Sequence, residues 1–99
     1  MIRAGAWLKA CRVAAGISQK DMQRRLAIKN PIFFSKVENG HERMPPHYYV
    51  EWARAVGLNP KLVAQTILGF YTPFLYEPLF GEAFVAPVTT TSAVPDIEA

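Results

Sequence analysis

Two closely spaced helix starts, at Ser18-Gln19 and at Asn30-Pro31, constrain this chain more than any other feature, because they demand two short helices joined by a tight turn. Gly16 can take the left-handed conformation that closes a preceding helix. Ser18 is a good N-cap, and Asp21 puts a carboxylate in the first turn, where the helix dipole favours it. A helix therefore starts at Ser18. Met22 and Leu26, spaced i, i+4, share its apolar face, while Lys20, Gln23, Arg24 and Arg25 make much of the remainder basic. Asn30 as N-cap and Pro31 at the first helical position predict a second helix over residues 31–39. Phe34 and Val37 then point inward, and Gly40 closes the element as a left-handed cap.

The flanking sequence is helical too. Trp7 and Cys11 stand i, i+4 on a preceding helix, which makes the lone cysteine a small core residue. After a loop carrying His41, Arg43, Pro45 and Pro46, the residues Tyr49, Trp52, Ala53 and Val56 form an apolar stripe that Gly57 ends. Asn59-Pro60 repeats the cap-plus-proline start, and a fifth helix carries Leu62, Val63, Ile67 and Phe70 inward.

The residues Leu8-Lys9, Arg12, Gly16-Ile17-Ser18-Gln19, Met22, Leu26, Ile28 and Ser35-Lys36-Val37-Glu38-Asn39-Gly40, followed by Pro45, resemble the Cro/C1-type (XRE) helix-turn-helix family of phage and bacterial repressors. The resemblance covers roughly residues 6–69 and implies an all-α, five-helix, lambda-repressor-like domain with an apolar C-terminal extension. It implies that Gln19 braces the recognition helix and touches a phosphate. Asn39 would meet the phosphate backbone near the end of that helix, and Arg12 and Glu38 would form an ion pair tying the first helix to the third. The recognition positions fall on Asn30, Pro31, Ile32 and Phe33, with Ser35 and Lys36 one turn on. Of these, Asn30, Ser35 and Lys36 can hydrogen-bond base edges, whereas Ile32 and Phe33 offer only contact with thymine methyls. Phe34 fills the core position, so one of Ile32 and Phe33 stays exposed. Arg43, in the following loop, is within reach of a phosphate.

The chain departs from the family pattern at three further points. One extra residue separates Ile28 from the Ser35–Gly40 close, Ala27 replaces the usual turn glycine, and Gln23 replaces a small alanine. The extra residue is expected to let the chain turn at Ala27 without the left-handed conformation, and to open the angle between the two helices around Gln23.

All eleven Lys and Arg residues lie within residues 1–61, against four acidic ones (Asp21, Glu38, Glu42, Glu51), a net charge of +7, while Glu77, Glu82, Asp96 and Glu98 lie beyond. A charged helical face alone need only be solvated. Beneath a helix-turn-helix pattern it suits a polyanion. His41 and His47 have no cysteine or carboxylate at ligand spacing, and the six glycines form no phosphate-binding loop. No metal, no cofactor and no catalytic constellation are expected. Nothing in the opening residues reads as a signal peptide. The uncharged stretch over residues 62–76 is interrupted by Gln65, Thr66 and Pro73, so a cytoplasmic protein without membrane spans is expected.

From Phe70 to Val85 the chain is dense in apolar side chains but broken by Pro73, Pro78 and Gly81, which argues for extended arms or short strands. Such a surface must be covered. The expected domain plan is a DNA-binding domain over 1–69, a dimerisation segment over 70–86 (Phe74, Tyr76, Leu79, Phe80, Phe84), and a disordered tail over 87–99. The expected function is a homodimeric transcriptional repressor acting on its own operon, reading an inverted repeat in double-stranded DNA with helix 31–39. Two alternatives remain: an antitoxin-like protein gripping a toxin through residues 70–85, and a non-DNA adaptor that uses Ile32 and Phe33 to hold a protein partner.

Overall fold

Ser18 caps its helix as the sequence requires: its backbone is extended and its hydroxyl accepts the N–H of Asp21 at 3.0 Å. A computed structural model describes residues 2–87. The chain forms α1 (Ile2–Ala14), α2 (Gln19–Arg25), α3 (Phe33–Glu38), a 3-10 turn at Pro46–Tyr48, α4 (Tyr49–Val56), α5 (Pro60–Tyr71) and α6 (Pro73–Phe80). No strand occurs among the described residues. Left-handed glycines stand at the expected helix ends, with φ of 75° at Gly16, 82° at Gly40 and 77° at Gly57.

The core is built from every helix but the last. Leu8, Met22, Phe34, Val37, Trp52, Val63 and Ile67 are fully buried, together with Met44 from the loop before the 3-10 turn. Trp7 bridges the core to the C-terminal half, its ring centroid 6.0 Å from Trp52 and 6.2 Å from Phe70. Gly5 lets α1 lie directly on the end of α3, since a Cβ there would come within 2.7 Å of the carbonyl oxygen of Val37. Leu62, expected inward, is instead half exposed; Val63, Thr66 and Ile67 form the buried face of α5.

Residues 70–86 depart most from expectation. Phe70 and Tyr71 complete α5, and a sixth helix replaces the expected arms or strands. Both prolines fit it for local reasons. Pro73 occupies the first turn, where a missing N–H costs nothing, and Pro78 forfeits a single bond in a helix of 8 residues. Tyr76 anchors the helix, buried against the domain with its hydroxyl accepting a hydrogen bond from Gln65 Nε2 at 2.8 Å. The chain then turns back through Gly81, and Phe84 packs edge-on against Phe70 at 5.2 Å and beside Tyr76 at 5.0 Å. Three of the five residues assigned to a dimer interface thus pack within their own chain, Tyr76 and Phe84 largely out of solvent and Phe80 with its ring 4.8 Å from that of Tyr76 but still partly exposed. Phe74, Leu75, Leu79 and Phe80 remain exposed. Of the tail expected over 87–99, residues 88–99 lie outside the described residues.

Candidate nucleic-acid interface

Three polar side chains lock α3 against the helices behind it. Arg12 of α1 donates from Nε to Glu38 Oε2 at 2.6 Å and from Nη2 to Glu38 Oε1 at 2.9 Å, a two-pronged ion pair buried on both sides. Its third nitrogen donates to the carbonyl of Ile17 at 2.7 Å, which holds the α1–α2 turn. Gln19, the first residue of α2, donates Nε2 to the same Glu38 Oε1 at 2.8 Å. Both acceptor oxygens of Glu38 are therefore engaged, and its charge is matched where water is excluded. Arg12 is thereby removed from the cations available at the surface.

The turn between α2 and α3 differs from expectation in a way the hydrogen bonds explain. Ala27 does take the left-handed conformation, at φ 57°. Its N–H reaches Arg24 O at 3.1 Å and the N–H of Ile28 reaches Gln23 O at 2.9 Å, the paired bonds of a Schellman helix stop, which require positive φ at this position whatever residue fills it. The extra residue is absorbed further on. Asn30 accepts the N–H of Ile32 on Oδ1 at 3.1 Å, and its carbonyl accepts the N–H of Phe33 at 3.2 Å, so a side-chain-braced turn precedes the helix. The helix accordingly begins at Phe33 and ends at Glu38 instead of running from 31 to 39, and Pro31 lies in the turn.

Gln23 takes over the capping that Asn30 was expected to provide. Its Oε1 accepts the N–H of Phe34 at 3.2 Å, one of the orphan donors of the first turn. No expectation from the sequence covered this contact. The signal was present in a long amide side chain at a position where the resemblance implies a small alanine.

With its rear face fixed, α3 presents a defined front. Ile32, Lys36 and Asn39 are exposed and follow one another at i, i+4 and i+7, with half-buried Ser35 between them. Asn39 Nδ2 lies 3.4 Å from Ser35 Oγ, a long contact that leaves most of the amide's capacity free. Asn30 is exposed beside the start of the helix and keeps its amide N–H₂ as a free donor. Of the two apolar candidates, Ile32 is the exposed one, at 55 %, whereas Phe33 is half-buried and packs on the core. Arg43 stands apart from this stripe, with its guanidinium 5.1 Å from the ring centroid of Tyr71 on α5.

The basic residues of α2 and the turn, Lys20, Arg24, Arg25 and Lys29, are exposed, and among the described residues Arg24 alone of the four is shared with a carboxylate, that of Asp21 at 2.8 Å. Among the described residues no group of three or more His, Cys, Asp or Glu side chains gathers at metal-binding distance, and no helix is long and apolar enough to cross a membrane. Compared with family models, with curated proteins and with solved structures, the chain matches none.

Proposed function

We propose that this chain is a sequence-specific DNA-binding transcriptional regulator of helix-turn-helix type, a homodimeric repressor of its own operon that sets α3 and the turn before it into the major groove. The observation that carries this reading is the pairing of a locked rear and a free front on α3. Arg12, Gln19 and Gln23 spend their polar groups fixing the helix, while Asn30, Lys36 and Asn39 keep theirs exposed. Such a division suits a helix that must hold base-edge donors in register. Asn30 and Ser35 read bases, Ile32 packs on a thymine methyl, and Lys36 and Asn39 meet phosphates. Arg43 is the outlying phosphate contact, while Gln19, its amide committed to Glu38, and half-buried Phe33 support the helix from behind. The net charge of +7 over residues 1–61 supplies the attraction on which this rests. The test is a mobility shift with DNA from upstream of the gene: an inverted repeat should be retained at protein concentrations that leave scrambled DNA free. Equal retention of both would refute sequence-specific reading.

A second reading has its own support, in the apolar surface of α6. Phe74 is 92 % exposed and Leu79 62 %, which is more than a lone small domain leaves in water without a purpose. That surface serves a second copy in the homodimer, or a toxin partner in an antitoxin-like protein. Co-purification with the product of a neighbouring toxin-sized reading frame, abolished by Phe74→Ser, would favour the antitoxin.

A further inference from the structure

A cleft of about 630 Å³ opens between the loop before α4 and the α5–α6 corner, within the range of about 300–1,000 Å³ usual for small-molecule sites. Its walls are apolar, with Pro46 on one side and Leu68 and Leu75 on the other, and prolines at 45 and 46 keep the loop wall stiff. Four polar side chains line it, Arg43, Tyr49, Tyr71 and Thr72, and because the Thr72 hydroxyl already donates to the carbonyl of Leu68 at 3.0 Å, the donors left for a guest are those of Arg43 and the two phenols. The Tyr71 hydroxyl accepts the N–H of Met44 at 3.1 Å and so keeps its own proton to donate. Arg43 is held over the Tyr71 ring, and among the described residues no carboxylate lies within ion-pair distance of it.

We propose that this cleft binds an amphipathic organic anion, a medium-chain carboxylate whose head group meets Arg43 and the two phenols while its alkyl body lies on Leu68 and Leu75. Charge decides between guests. A cation would be repelled by Arg43, and a wholly apolar guest would strip water from the guanidinium and both hydroxyls with nothing in return. A carboxylate satisfies all three donors. Burial raises both phenols, Tyr49 up to about 12, so at neutral pH both remain O–H donors and add no negative charge beside the guest. Because Arg43 is also a proposed phosphate contact, a guest here competes with DNA, a consequence that rests on the DNA-binding reading.

Calorimetric titration of the full chain without DNA tests the site independently of that reading, with octanoate, octanol and octyltrimethylammonium as probes. Octanoate should bind at one per chain, and octanol and the ammonium roughly tenfold or more weaker. Leu68→Trp, which fills the cleft, should abolish the heat while leaving the thermal melt in place. Arg43→Gln, a change at an exposed side chain that folding tolerates, should erase the preference for octanoate over octanol even if Leu68→Trp does not fold. Absence of saturable octanoate binding, equal affinity for octanol, or a heat that Arg43→Gln leaves unchanged would overturn the proposal. So would light scattering that traces the heat to dissociation of a dimer, since the cleft would then belong to a second copy.

Discussion

Ala27 sits in a left-handed conformation that an L side chain adopts at a cost of roughly 1 kcal/mol or more, and it does so because the Schellman bonds around it fix the helix stop. Ala27→Gly removes the Cβ responsible. After the added chain entropy of the unfolded state is subtracted, a gain of about 0.5–1 kcal/mol is expected, with a rise of about 4–8 °C in melting temperature per kcal/mol. A melt unchanged or lowered would mean that the turn tolerates Cβ without strain. Cys11 makes a second residue-scale prediction. Burial pushes its thiol up to about 11 from an ordinary 9.0, so the native chain holds a proton that the unfolded chain releases in between. The contribution of Cys11 is fully present below pH 9, is lost as pH rises through about 9 to 11, and is constant above. Cys11→Ala should flatten that decline in denaturant titrations at pH 8 and pH 10.5, and the native thiol should resist alkylation at neutral pH.

At the scale of elements, the tie between α1 and α3 depends on Arg12 and Glu38. Arg12→Ala or Glu38→Ala leaves a buried charge unmatched and should cost about 3–5 kcal/mol, read as a large fall in the denaturation midpoint. Arg12→Met combined with Glu38→Leu should cost less than either single change, because no charge is left stranded; a double variant as weak as the worse single would show that the hydrogen bonds to Gln19 and Ile17 matter more than charge balance. Elements governed by local chemistry were legible in the sequence. Ser18, Asn59-Pro60 and the glycines at 16, 40 and 57 each mark a helix end within a few residues, and the Arg12–Glu38 pair followed from resemblance. What was not legible depends on tertiary neighbours. Asn30 could cap a helix or brace a turn, and Gln23 reaching Phe34 decides between them. Likewise Pro73 and Pro78 look like helix breakers until Tyr76 is given Gln65 and Phe84 to pack on. Of the candidate site, Asn30, Lys36, Asn39 and Arg43 are exposed while Gln19 and Ser35 are half-buried, and the alternatives for Ile32 and Phe33 were separable only once the core had been filled.

Over the whole molecule, the apolar surface left on α6 bears on assembly. A repressor needs its recognition helices about 34–36 Å apart, or a multiple of that, and a two-fold contact through Phe74, Leu79 and Phe80 is the proposed means. Removing residues beyond 69 would not test this cleanly, because it takes away Tyr71 and Tyr76, which are buried in the domain itself. Phe74→Ser with Leu79→Ser spares the core. By light scattering the variant should be a monomer with an unaltered thermal melt in dilute solution, and a variant that stays dimeric places the contact elsewhere. The central claim, that the exposed stripe of α3 meets DNA, is tested most directly by the salt dependence of binding to the upstream inverted repeat, measured by fluorescence anisotropy for the natural chain and for Lys36→Ala. The account predicts a steep linear fall of log affinity with log salt, and a slope shallower by about one unit in the variant, with affinity reduced for every sequence. A slope that is flat in the natural chain, or identical in the two, would contradict it.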